Sequence, residues 1–155
     1  MDALEGLRRN AGPYPTDLLK DCASALLLFG AGFLGMNDGI HMADAGLFAC
    51  VVDIDRPRLE HMAKIYPSDW MFVESDAWEF AERCGTKFDI VSVDNFTGDA
   101  ETPVLTSLSL WCSLAVKLVT VTRTRKPIDF TIPWGWEPSL VERSSRANWL
   151  VLERS

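Results

Sequence analysis

Leu26-Leu27-Leu28-Phe29-Gly30-Ala31-Gly32-Phe33-Leu34-Gly35 reads as an apolar strand that runs into a glycine turn and out into the start of a helix. Downstream, Cys50-Val51-Val52-Asp53-Ile54-Asp55 repeats the apolar run and ends it in carboxylates. Strand, G-x-G-x-x-G turn, helix and a second strand with an acid at its tip make the pattern of a βαβ unit that holds a nucleotide-like ligand. Each glycine has its own use. Gly30 takes the tight turn. Gly32 leaves backbone bare for a ligand, because no Cβ blocks it. Gly35 lets the helix pack close to the strand. Asp53 sits where a carboxylate accepts from both hydroxyls of a ribose. A plainer reading stays open: Gly30 and Gly32 simply turn the chain.

The same rhythm continues outward from this unit. Apolar, β-branched runs predict strands over 25–29, 48–52, 71–73, 88–93 and 116–122. Helices are expected over 34–45, closed by Gly46, from Arg56-Pro57 to Ile65, from an N-cap at Ser75 toward Cys84, and over 103–114. The run at 88–93 is nearly all apolar, as suits a parallel strand covered on both faces. Such β-α alternation implies an α/β fold with helices on both sides of a mostly parallel sheet. The end of the chain changes character. After Pro127, Pro133, Trp134, Gly135 and Trp136, the runs 139–144 and 148–154 read as an antiparallel hairpin around Ser145-Arg146-Ala147. Residues 1–23 form a leader, broken by Gly12-Pro13-Tyr14-Pro15, in which Thr16 is expected to cap a brief helix. Residues 24–155 are expected to form one domain, and 155 residues suit one core.

The formal net charge is −7, and an acidic chain repels phosphate backbones, so nucleic acid is not expected as a partner. Arg123, Arg125 and Lys126, with Lys117 upstream, are the nearest approach to a basic cluster and read as a solvated loop. Cys22, Cys50, Cys84 and Cys112 are scattered, without metal-site spacing. Reduced thiols and the lack of a secretory pattern at residues 1–9 point to the cytoplasm. The apolar stretch 23–36 is too short to span a bilayer, so no membrane association is expected. His41 and His61 are isolated and read as structural.

Over residues 24–155, in order and spacing, the chain resembles the class I S-adenosylmethionine-dependent methyltransferase family. The glycine turn, with Gly30, Ala31, Gly32, Phe33 and Gly35, resembles the first motif, which in the family curls around the methionine part of the cofactor. Val52-Asp53-Ile54-Asp55-Arg56-Pro57 resembles the second, whose first acid, here Asp53, holds the ribose hydroxyls with Ile54 beside it. Val73-Glu74-Ser75-Asp76-Ala77-Trp78 is similar to the third. There the resemblance implies that Asp76 accepts from the adenine amino group and that Ala77 offers its backbone N–H. Phe88-Asp89-Ile90-Val91-Ser92-Val93-Asp94 resembles the fourth, which ends at the reacting face. The implied fold is a three-layer Rossmann-like sandwich, its mostly parallel sheet closed by a C-terminal antiparallel hairpin. The implied cofactor is S-adenosyl-L-methionine.

Elementary topology agrees with these placements, because ligands bind beyond the carboxyl ends of strands in an open parallel sheet. Gly30, Asp53, Asp76 and Asp94 all fall at such ends. Phe33, Trp78 and Phe96 are candidates to line an adenine or the sulfonium; a cation against a π face gains about 0.5–2 kcal/mol. Asp94 is the candidate base or substrate orienter. Plainer roles stand beside these: a first-turn carboxylate for Asp76, a solvated helix start for Asp55, a loop cap for Asp94, and core packing for Trp78, Trp134, Trp136 and Trp149. The family's amino-methylating branch often carries prolines after strand four, whereas this chain has Asp94-Asn95-Phe96. No added substrate domain is visible. The expected function is therefore a methyltransferase acting on a small molecule or protein. A nicotinamide-dinucleotide enzyme or a non-catalytic partner subunit is the alternative, and a homodimer is possible in principle. Asp53→Ala is expected to weaken adenosyl binding by about 1.5–3 kcal/mol while leaving the fold intact.

Overall fold

The computed structural model describes residues 3–95, 100–124, 126–145 and 147–155. Phe96, Arg125 and Arg146, used in the sequence reading, lie outside them. Seven strands among the described residues form one sheet: β1 (Ser24–Leu28), β2 (Phe48–Asp53), β3 (Met71–Glu74), β4 (Phe88–Val93), β5 (Ala115–Thr124), β6 (Trp136–Glu142) and β7 (Ala147–Arg154). Their order is β3-β2-β1-β4-β5-β7-β6. The first five are parallel, and β7 runs antiparallel to both β5 and β6.

Alternation along the strands divides the core in two. Leu26, Leu28, Cys50, Val52, Val91 and Val93 face one side; Ala25, Leu27, Ala49, Val51 and Ile90 face the other. Both sides are covered, which is why these strands read as unbroken apolar runs. One side carries α2 (Phe33–Asp44), α3 (Arg56–Ile65) and the leader, whose Tyr14 and Leu19 join the core. The other carries α4 (Ala77–Arg83), α5 (Glu101–Thr106) and α6 (Leu108–Ser113).

Several local expectations change. The N-cap of α4 is Asp76 rather than Ser75: the Glu79 N–H donates to its Oδ1 at 3.0 Å. The helix expected over 103–114 is two helices broken at Ser107, whose hydroxyl bonds back to the Pro103 carbonyl at 2.7 Å. Such back-bonding competes with the helical ladder. The leader holds a helix that sequence periodicity does not show, α1 (Ala3–Arg9), then a 3-10 turn over Thr16–Leu19 with no side-chain cap. Trp136 and Trp149 are core residues, but Trp134 is 99% exposed and packs nothing. No helix among the described residues is long and apolar enough to cross a membrane.

Candidate functional site

A cavity of about 660 Å³ opens at the carboxyl ends of β1, β2 and β4. Its walls come from four places. The glycine turn and α2 give Phe29, Gly32, Phe33, Leu34 and Asn37; the tips of β2 and β4 give Asp53, Asp94 and Asn95. The leader contributes Asn10, Gly12 and Pro13, and the terminal hairpin Arg143, Ser144 and Ala147. The leader is fastened to α2 by the Gly12 N–H donating to Asn37 Oδ1 at 2.6 Å and by His41 Nε2 against the Gly12 carbonyl at 2.8 Å. An Arg8–Asp44 ion pair at 2.7 Å adds to this.

The glycines divide the work differently from the sequence reading. Gly30 does not adopt a left-handed conformation; the left-handed residue of the turn is Phe29, at φ 57°. An αL conformation costs a bulky residue about 1–3 kcal/mol, and such strain gathers at ligand sites. Gly30 is instead required by packing: a Cβ there would lie 2.7 Å from the Leu27 carbonyl oxygen and 2.8 Å from Val51 Cγ1. A Cβ on Gly35 would lie 2.5 Å from the Gly30 Cα, so Gly35 does bring helix and turn together. Gly32 differs from both. Its Cβ would meet only the Phe29 carbonyl at 3.6 Å, an ordinary contact. The protein does not need Gly32 bare, and its open side faces the cavity.

Asp53 is pinned at the tip of β2. The Ala31 N–H donates to Oδ2 at 3.0 Å and the Asp55 N–H to Oδ1 at 2.9 Å. This carboxylate therefore ties the glycine turn to the β2–α3 connection, and removing it harms the fold as well as any ligand contact. The expectation that Asp53→Ala leaves the fold intact is corrected accordingly. Asp55 caps α3 by accepting from the Arg58 N–H at 3.1 Å. Phe33 is 84% exposed and Ile54 74% exposed, two apolar side chains uncovered on either side of Asp53 in sequence.

Of the ten residues expected at the site, Gly32, Phe33, Asp53 and Asp94 line the cavity. Gly30, Ala31 and Gly35 are buried behind it. Ile54, Asp76 and Ala77 do not line it; they sit at the ends of β2 and β3, further along the same rim. Trp78 stays out of the cavity. Its indole N–H donates to Ser107 Oγ at 2.9 Å, and its ring packs on Phe29 and Trp111.

The loop that Asp94 was expected to cap lies largely outside the described residues. Asp94 is buried, accepts from Ser92 Oγ at 3.0 Å, and lies 3.7 Å from Arg143 Nη1. Burial, then the Asp38 carboxyl beside it, hold its proton on well above the usual carboxylate range, and Arg143 opposes them. Asp38 and Arg143 are absent from the sequence reading. Asp38 had a signal: it shares the buried stripe of α2 with Gly35, Gly39 and Met42, and a buried acid demands a partner. Nothing in the sequence around Arg143 marks it as that partner.

No family model and no curated protein matches the sequence. Solved structures do resemble the fold. A methyltransferase candidate, yhhF of Escherichia coli, superposes with a TM-score of 0.70 at 17% identity, covering 100% of this chain and 88% of that one. An rRNA-methylase candidate of Clostridium thermocellum gives 0.64 at 11% identity, over 99% and 96%. A S-adenosylmethionine-dependent methyltransferase of Thiobacillus denitrificans, crystallised with S-adenosyl-L-homocysteine, gives 0.55 at 16% identity, over 79% and 49%. The expectation that nucleic acid is not a partner is overturned here, because a chain that shares nearly this whole fold is described as an rRNA-methylase candidate. Net charge sums the entire surface, whereas a polyanion meets only the local surface around a site. The chain has the class I S-adenosylmethionine-dependent methyltransferase fold.

Proposed function

We propose that this protein binds S-adenosyl-L-methionine across the carboxyl ends of β1, β2 and β3 and transfers its methyl group to an acceptor presented over Asp94. One observation carries the reading: the fixed Asp53 carboxylate stands at a cavity that also exposes the bare Gly32 backbone, with Phe33 and Ile54 uncovered nearby. That set matches the parts of the cofactor. Asp53 suits the ribose hydroxyls, because a carboxylate has about four acceptor positions and two of these are in use. Gly32 and Phe33 suit the methionine part. Ile54, Asp76 and Ala77 suit the adenine, Ile54 by apolar contact and Asp76 through the oxygen its helix cap leaves free. Gly30, Ala31 and Gly35 shape the turn from behind.

When bound, the cofactor supplies an electrophilic methyl group on a sulfonium. The protein's share is proximity, orientation and a place for the acceptor's proton. Asp94 is the group assigned to take that proton, which requires its ionised form. RNA is the acceptor class to test first, supported by the likeness to an rRNA-methylase candidate. In this reading residues 24–155 are the domain, the leader supplies one wall, and the four free cysteines suit the cytoplasm.

Calorimetric titration with S-adenosylmethionine, S-adenosylhomocysteine, NAD and NADP in parallel tests the proposal. Micromolar binding of the adenosyl pair alone is expected. Binding of NAD alone converts the site to that of a dehydrogenase, and silence from all four refutes a working cofactor site in the isolated chain.

A further inference from the structure

Among the described residues, a group of charges directly under the cavity does not balance. Asp38 from α2, Asp94 from the end of β4 and Arg143 from the end of β6 bring two carboxyl groups and one guanidinium into the interior. Their side chains are 0%, 1% and 5% exposed. Arg143 forks onto Asp38, with Nη1 donating to Oδ2 at 3.1 Å and Nη2 to Oδ1 at 2.8 Å. Nη1 also donates to Thr122 Oγ1 at 3.2 Å, and Thr122 lies 3.5 Å from Asp94 Oδ1. Nη2 reaches the Leu34 carbonyl at 3.3 Å, and the guanidinium stacks 4.4 Å over the Trp149 ring. Arg143 is thus fixed on all sides, and Asp94 is held at its edge.

A structural role accounts for only part of this. An ion pair that merely tethers the terminal hairpin to α2 needs one acid for its one base. Burying a second carboxyl beside the first is costly unless it is paired, and an apolar residue at 94 would avoid that cost. The second carboxyl belongs to a residue that lines the cavity.

We propose that Asp38 and Arg143 are positioning residues for Asp94: they fix its carboxyl at the cavity wall and govern the proton it carries. The inference rests on the cavity being the ligand site, and not on which ligand fills it. The polar groups around Asp94 come from every packed element. Asp38 is on α2, Ser92 on β4, Thr122 on β5, Arg143 after β6, and Tyr14 on the leader, with Thr120 reaching Ser92 at 3.1 Å. The Tyr14 hydroxyl is buried without a partner among the described residues, and burial keeps it protonated well above the usual tyrosine range. Asp38 pushes a proton onto Asp94, and Arg143 draws it off.

Those opposed directions make the test. The Asp94 carboxyl is titrated by carbon-13 NMR in the ligand-free wild-type protein, Asp38→Asn, Arg143→Met and Arg143→Lys. In the wild type the Asp94 midpoint is expected above the ordinary aspartate value. Asp38→Asn is expected to lower it, Arg143→Met to raise it, and Arg143→Lys, which keeps the charge and loses the fork, to fall between wild type and Arg143→Met. General loosening admits water and lowers the midpoint in every variant. Midpoints that all fall, or that do not move, overturn the proposal. If Arg143→Met does not fold, Asp38→Asn and Arg143→Lys still give opposite predicted signs. The readout needs no cofactor, so an Asp94 that behaves as expected in a protein that binds no S-adenosylmethionine rejects the cofactor reading alone. An ordinary Asp94 in a protein that does bind it rejects this inference alone.

Discussion

Gly32→Ala and Gly35→Ala add the same methyl group three residues apart, and the structure assigns them opposite consequences. At Gly35 the new Cβ falls 2.5 Å from the Gly30 Cα and carbonyl oxygen, which are backbone atoms that cannot swing aside. Overpacking of this kind costs about 1–3 kcal/mol. The better helix propensity of alanine returns about 0.5–1 kcal/mol of that, since Gly35 lies in the first turn of α2. A chain of this length loses about 2–4 °C in Tm per kcal/mol, so Gly35→Ala is expected to melt lower by a few degrees. At Gly32 the new Cβ meets one atom at 3.6 Å, and the backbone, at φ −72° and ψ 172°, suits alanine. There the loss of unfolded-state freedom roughly offsets the poorer N-cap, so Tm is expected to stay within about a degree. A ligand lying against the Gly32 backbone would collide with that same Cβ. Thermal unfolding with and without S-adenosylmethionine separates the two effects. Gly32→Ala is expected to keep the ligand-free Tm and lose the ligand-induced rise. Equal Tm losses in both variants would refute the packing argument, and a full ligand-induced rise in Gly32→Ala would remove Gly32 from the site.

Asp53→Asn breaks one of two backbone N–H bonds and the negative charge; a Tm loss equivalent to about 1–3 kcal/mol is expected, with adenosyl affinity falling roughly ten- to hundredfold by calorimetry at a temperature where both proteins are folded. An unchanged Kd would leave Asp53 with a structural role only. Asp76→Ser keeps a cap for α4 and removes the carboxylate, so stability is expected to hold while the preference for S-adenosylmethionine over its inosine analogue disappears. A preference that survives returns Asp76 to capping alone. Asp94→Asn removes a group whose folded value lies above its unfolded one. The folded wild type binds more protons than its unfolded chain once pH exceeds the ordinary aspartate value of about 3.9, and so loses stability as pH rises through that window. Asp94→Asn lacks this loss, so its stability relative to wild type is expected to improve steadily from pH 4 upward in urea titrations. A difference independent of pH would show that Asp94 titrates normally.

Sheet and rim were legible because they rest on local chemistry. Unbroken apolar runs such as 25–28 and 90–93 require two covered faces, and carboxylates at strand tips need no knowledge of what lies across the fold. The terminal hairpin was legible for the same reason as an antiparallel addition to the sheet, though its place beside β5 was not. What stayed hidden depends on distant partners. Ser107 breaks a helix by a bond within that helix, but its hydroxyl is also held by Trp78 from α4. Arg143 meets Asp38 across more than a hundred residues of chain, and only the sheet order makes them neighbours. The turn glycines were legible as a group and only Gly30 was misassigned, because φ at Phe29 and the clearance at Gly30 follow from how β1 packs against Val51.

The capping and ligand-binding roles that the sequence sets as rivals are compatible in this structure. Asp53 and Asp76 each spend part of their acceptor capacity on backbone N–H groups at strand or helix ends. A carboxylate fixed in this way has already lost its rotamer freedom on folding, so a ligand that bonds its remaining lone pairs has less ordering cost to meet. Capping therefore favours binding by these acids, and the question for each becomes whether an acceptor position remains and faces the cavity. For Asp53 both conditions hold. For Asp55, half-buried at the start of α3 and absent from the cavity wall, the second fails. Asp94 reaches the same end by another route, since a side-chain hydroxyl and a fixed guanidinium hold it. Its surroundings act on a proton as well as on an orientation, which in the proposed function separates a group assigned to chemistry from those assigned only to hold the ligand.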